Sequence, residues 1–169
     1  MKKISRKKWQ SLLTRVDQAF RGIEPGMSIF LGTGVGEPRT LIKHLMDSGA
    51  PNLQDLELVQ LVSFGQALGE EEGSSRRSRN FRLKTFFSGW VASKAISEGR
   101  ADLIPCRFSQ IHRHIISGRV HIDAAFVQVA PPDDEGYCSL GVAVDVARYA
   151  IEKASIVIGE VHQDIPFTF

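Results

Sequence analysis

The chain has 169 residues, 43% hydrophobic and 24% charged, and its 21 basic residues against 19 acidic leave a formal net charge of +2. That length amounts to one domain of roughly 100–200 residues. The balance excludes wholesale disorder and a fibrous repeat, and it gives no electrostatic support for a nucleic-acid or membrane surface.

Taken in chain order, Trp9, Leu12, Leu13, Val16, Ala19 and Phe20 recur at helical spacing, which predicts an amphipathic first helix within residues 1–24. Gly22 and Pro25 end it. "MSIFLG" reads as a short buried strand, "GTGVGEP" (Gly32 to Pro38) as a turn, and "PRTLIKHLMD" as a helix with Pro38 at its first position. "LELVQLV" and "FRLKTF" are strand candidates, and "WVASKAISEG" is a helix closed by Gly99. There follow a strand "ADLIPC", a helix "RFSQIHRHIISG", a strand "IDAAFVQVA", a helix "VAVDVARYAIEKA" and a strand "SIVIGEV". Strands alternating with helices of about ten residues require crossover connections, so the expected class is α/β, with a mainly parallel sheet flanked by helices on both faces.

Residues 65–80, "GQALGEEEGSSRRSRN", are polar and charged and read as a surface loop inside the domain. Arg76, Arg77 and Arg79 there suit either phosphate contact or a solvated face. The basic "MKKISRKKWQ" is followed by no apolar stretch of signal-peptide type, and the chain has no run of about 18 apolar residues. Cys106 and Cys138 are too far apart for a C-x-x-C site. These features suit a cytoplasmic protein without a disulfide framework, a metal site or a membrane partner. After "SIVIGEV" the chain has an apolar, proline-containing tail and no covering helix, so it looks cut short and suited to association as a homo-oligomer.

In open α/β sheets ligands bind outside the carboxyl ends of strands. Gly32, Gly34 and Gly36, with Thr33, Glu37 and Pro38, occupy such a place, and a helix starting near Pro38 would aim its positive end there. A dinucleotide G-x-G-x-x-G fingerprint would need glycine where Glu37 stands. A tight turn with no ligand is the other reading. The second such segment, Ala130 to Asp145, is long for a strand-to-helix connection and carries Asp133, Asp134, Glu135, Gly136, Tyr137, Ser139, Leu140 and Gly141. Its alternative is a rigid turn in which Pro131 and Pro132 fix the chain and Ser139 caps a helix. Ser63 and Ser88 each follow an apolar strand and can line the same cleft, but neither lies in G-x-S-x-G. His112 and His114 are two apart on a helix and share no face, which argues against a metal pair.

Together, "LGTGVGEP", "NFRLKTFFSG", "SEGRADLIP", "AAFVQVAPPDDEGYCSLGVAVD" and "ASIVIGEV" resemble the amino-terminal domain of the acetyl-CoA hydrolase/transferase family, from about Pro25 to the last residue. The resemblance implies a NagB/RpiA/CoA-transferase-like fold, with two such domains per subunit and the active site between them. It implies coenzyme A and acyl-CoA as substrates with a small carboxylic acid, and no tightly bound cofactor. The candidate substrate- and CoA-binding residues at this cleft are Gly32, Thr33, Gly34, Gly36, Glu37, Pro38, Ser63, Ser88, Asp133, Gly136, Tyr137, Ser139, Leu140 and Gly141. The family's nucleophilic glutamate belongs to a second domain and matches nothing in this chain. A non-catalytic ligand-binding or regulatory module on the same fold is the alternative. The chain departs from the family pattern at Ser109 to His112, "SQIH", and at Lys94, where the family carries arginine. Both changes bear on specificity and competence, since lysine lacks arginine's bidentate grip on a carboxylate.

Overall fold

The structure, a computed structural model, is described for residues 11–62 and 81–168. Its sheet comprises β1 (Ser28–Leu31), β2 (Leu56–Gln60), β3 (Phe81–Thr85), β4 (Ala101–Leu103), β5 (Ala124–Val129) and β6 (Ile156–Val161). Every pairing is parallel, in the order β4-β3-β2-β1-β5-β6. The helices are α1 (Val16–Ala19), α2 (Arg39–Asp47), α3 (Trp90–Ser97), α4 (Ile111–Ile116) and α5 (Ala147–Lys153).

The two faces of the sheet carry separate cores, set by the alternation of side chains along a strand. Ile29, Leu31, Leu58 and Phe126 pack with Leu41, Ile42 and Leu45 of α2 and with Ala92 and Ala95 of α3. Phe30, Val59, Ala125 and Val127 pack with Ile111 and Ile115 of α4 and with Ala147 and Ala150 of α5. β1, at the centre, is buried at all four positions, as both-face cover requires. β6 is an edge strand in which half-buried Ile156 and Ile158 alternate with exposed Val157 and Val161.

The α/β reading therefore holds, with differences at element ends. The first helix is a single turn at Val16–Ala19 followed by a 3-10 turn at Phe20–Gly22, while Leu12 and Leu13 are exposed. Short helices persist through tertiary packing. Here the anchor is Phe20, whose ring stacks on Phe126 at 5.4 Å. The expected positions 1–10, Ser63 and the 65–80 loop with Arg76, Arg77 and Arg79 lie outside the described residues. Pro38 sits one place earlier than expected, as the N-cap of α2. The helix read across "VAVDVARYAIEKA" begins only at Ala147. Its start is fixed by Asp145, whose Oδ1 accepts the Ala147 amide at 3.0 Å. Ser139 caps no helix: its hydroxyl accepts from the Gly141 and Thr168 amides, both at 3.0 Å.

Candidate functional site

The chain starts at the middle of the sheet, lays β2, β3 and β4 to one side, then returns to lay β5 and β6 on the other. β1 and β5 thus flank the topological switch point, where the connections diverge and a crevice opens at the carboxyl ends of the strands. Residues 32–38 leave β1 and residues 130–145 leave β5, so the sheet places the two segments singled out in the sequence side by side.

The glycines of the first turn answer to close packing. A Cβ on Gly32 would lie 2.5 Å from the Gly36 carbonyl oxygen, and one on Gly36 would lie 2.6 Å from the Ala143 Cβ. Gly34 has φ +56, a region L residues rarely enter. Most of the turn's amides are engaged internally: Gly32 donates to Phe126 O (2.8 Å), Gly34 to Val62 O (3.1 Å), Gly36 to Thr33 O (3.0 Å) and Glu37 to Gly34 O (3.1 Å). The amides of Thr33 and Val35 take part in none of these bonds, and Val35 is 63% exposed.

The positive end of α2 is also spoken for within the fold. The carboxylate of Glu160, on β6, accepts the Leu41 amide at 2.9 Å, an anion placed where the helix dipole favours one. One amide of this helix start is thus taken by the protein's own side chain. Glu37 is buried, at 1% exposure. Gln60 ends β2 beside Leu31 and donates from Nε2 to the Gly32 carbonyl at 3.3 Å. Its Oε1 has no hydrogen-bond partner among the described residues.

The second loop is organised by its own side chains. Asp133 Oδ1 accepts the amides of Glu135 (2.9 Å) and Tyr137 (2.8 Å), while Gly136 turns the chain at φ +84. Backbone bonds from Asp133 to Tyr137 and from Ala130 to Ser139, both 2.9 Å, close its base. Asp133 therefore shapes the loop. Tyr137 is half-buried beside it. Cys138 is exposed, and desolvation by its neighbours, followed by the negative charge of Asp133, pushes its thiol above its ordinary range. Farther along, Ser139 bonds Thr168 and Gly141 accepts from the Thr168 hydroxyl at 3.2 Å, so the tail pins this stretch.

The two loops are joined directly. Thr33 Oγ1 donates to Asp145 Oδ2 at 2.5 Å across 112 residues of sequence, beside the Gly36–Ala143 contact. Val142 and Val144, on either side of Ala143, are 61% and 43% exposed.

Of the remaining candidates, Ser88 is exposed beyond the end of β3, two strands from β1, on the same edge of the sheet. His112 packs its ring on Tyr149 at 5.2 Å, joining α4 to α5, and no group of three or more potential metal ligands occurs among the described residues. Two surface grooves, about 290 Å³ lined by Phe81, Arg82, Gly99, Arg100 and Asp102, and about 380 Å³ lined by Gln110, Arg113, His114, Ser117 and Arg119, include no residue of the two loops. Three residues that structure the site escaped the sequence reading: Gln60, Asp145 and Glu160. Only Asp145 carried a local signal, an aspartate just before a helix.

An open, doubly wound parallel sheet with paired loops at its switch point defines a class of ligand-binding α/β domain. Sequence comparison resolves the class further: residues 1–168 match the acetyl-CoA hydrolase/transferase N-terminal domain, and the chain belongs to that family. It is 35% identical over 163 residues to a succinyl-CoA:acetate/propanoyl-CoA:succinate CoA transferase of Fasciola hepatica, covering 95% of this chain and 32% of that protein. It is 34% identical over 160 residues to a 4-hydroxybutyrate coenzyme A transferase of Clostridium kluyveri, covering 95% and 36% respectively. The crystal structure of RipA from Yersinia pestis superposes with a TM-score of 0.77 at 25% identity, over 90% of this chain and 37% of that one. The chain thus spans about a third of the length of the curated relatives it matches. No helix among the described residues is long and apolar enough to cross a membrane.

Proposed function

We propose that this chain supplies one wall of the active site of a cytoplasmic acyl-CoA:carboxylate CoA-transferase or acetyl-CoA hydrolase acting on short-chain acyl groups, as in acetate metabolism. The opposite wall and the nucleophilic glutamate would come from a second domain of the same polypeptide, in an assembly of identical subunits. The observation that carries the reading is the Thr33–Asp145 bond, which fastens the two loops together at the switch point of a chain with CoA-transferase relatives.

In the proposed reaction a glutamate carboxylate attacks the thioester carbonyl, releasing CoA thiolate and forming a mixed anhydride. The thiolate then attacks the glutamyl carbonyl, which expels the donor carboxylate and leaves a glutamyl-CoA thioester. An acceptor carboxylate reverses these steps to give the new acyl-CoA, whereas water instead gives free CoA and the glutamate. Each addition puts negative charge on a carbonyl oxygen, where a preorganised donor removed by mutation costs about 3–4 kcal/mol in rate. The Thr33 and Val35 amides, which make none of the turn's bonds named above, would be donors for that task. Ser63, Ser88, Tyr137, Ser139, Leu140 and Gly141 would line the wall around them, with Gly32, Gly34, Gly36, Glu37, Pro38, Asp133 and Gly136 setting its shape.

Isothermal titration of the full-length protein with acetyl-CoA tests the reading. Saturable heat together with CoA transfer to a carboxylate, or hydrolysis, is expected. No heat at millimolar ligand rejects it, and binding without turnover assigns the chain to a non-catalytic module.

A further inference from the structure

The loop after β5 meets the β1 turn through Asp145, and the way it does so goes beyond helix capping. Capping α5 uses one carboxylate oxygen, Oδ1, on the Ala147 amide. An asparagine or serine would serve that purpose as well. The second oxygen takes the Thr33 hydroxyl. Asp145 makes both bonds from φ +20, a conformation disfavoured for a residue with a Cβ, and such strain persists where the surroundings over-determine it. Thr33 is 5% exposed, so its hydroxyl has little access to water as a substitute acceptor. The neighbouring Gly36–Ala143 contact leaves no slack for the two backbones to approach differently. Between this clasp and the Ser139–Thr168 anchor stand the exposed Val142 and Val144.

We infer that Thr33 and Asp145 are positioning residues, whose hydrogen bond sets the spacing of the two loops and so the shape of the wall presented to acyl-CoA. The inference rests on the acyl-CoA assignment. The bond acts on the Thr33 and Val35 amides on one side and on residues 142–145 on the other; it does not touch the reacting atoms itself.

The test uses Thr33→Val, which keeps the side-chain shape and removes the hydroxyl, and Thr33→Ser, which restores the hydroxyl, both in the full-length protein. Thr33→Val is expected to lower kcat/KM for acetyl-CoA about tenfold, and Thr33→Ser to recover most of that loss. Hydrogen exchange of the ligand-free protein should accelerate over residues 32–38 and 139–145 in Thr33→Val while β1 and β5 keep their protection. An unchanged kcat/KM in folded Thr33→Val, or equal impairment in Thr33→Ser, overturns the inference. Should Thr33→Val fail to fold, Asp145→Ser, which keeps one oxygen for the Ala147 amide and offers none to Thr33, carries the same kcat/KM expectation, and an unchanged kcat/KM overturns the inference. Should the wild-type protein neither bind nor turn over acetyl-CoA, the acyl-CoA assignment fails. Hydrogen exchange then decides the clasp, and unaltered exchange in Thr33→Val refutes it.

Discussion

Gly36→Ala offers a direct measure of how tightly the two loops are packed. The added Cβ would lie 2.6 Å from the Ala143 Cβ. Carbon atoms in contact rest about 3.5–4.0 Å apart, so roughly 1 Å must be opened. Neither atom can rotate away, and the displacement falls on the backbone of both segments. Overpacking of this kind costs about 1–3 kcal/mol, while the reduced freedom of the unfolded chain returns about 0.4–1 kcal/mol. The steric term wins, for a net loss of roughly 1–2 kcal/mol. Ala143→Gly removes the opposing methyl, so the double variant should recover the steric part and give a coupling energy of about 1–2 kcal/mol. Gly49→Ala is the control, because its Cβ would meet nothing within 4 Å and its φ is ordinary. It should be neutral or stabilising by up to about 1 kcal/mol. Equilibrium urea unfolding of the full-length protein supplies the comparison. A Gly36→Ala midpoint equal to wild type, or a double variant no better than Gly36→Ala, refutes the packing argument.

Glu160→Ala leaves the Leu41 amide without its carboxylate and should destabilise by about 1–3 kcal/mol in the same unfolding assay, with Glu160→Gln losing less. Gly141→Ala should loosen the loop from the tail, since its Cβ would collide with the Ile165 side chain at φ +62; faster proteolysis within residues 139–168 is the readout, and a wild-type rate contradicts it. The Cys138 pKa is raised above its ordinary value, so less thiolate is present at any pH below it, and alkylation should be slow at neutral pH and accelerate only in alkaline buffer. Asp133→Asn removes the smaller, electrostatic part of that shift and should speed alkylation at fixed pH.

Much of this fold is legible in the sequence. Buried runs such as "SIFL" and "AAFVQV" flanked by helical spacing force a parallel sheet with two covered faces, because backbone periodicity and burial are local properties of sequence. The two loops were marked by composition alone. Their roles were harder to read. The glycines at 32 and 36 signal close approach equally to a ligand or to another backbone, and only the fold shows that Ala143 and the turn itself are what approach. Nothing local at the helix start near Pro38 reveals that the Leu41 amide meets a carboxylate from Glu160, 119 residues beyond it. Helix ends shifted for a related reason. The apolar pattern of "VAVDV" fits a helix, but Asp145 is held by Thr33, and tertiary contacts override propensity.

Photolabelling probes the proposed wall most directly. The full-length protein would be irradiated with a short-chain acyl-CoA carrying a diazirine on its acyl group, and the labelled peptides identified by mass spectrometry. Label on residues 32–38 and 133–145, competed away by acetyl-CoA, is the expected outcome. Competable label confined to other parts of the chain, such as the grooves beside Arg82 or Arg113, contradicts the assignment of the switch-point loops as the acyl-CoA wall.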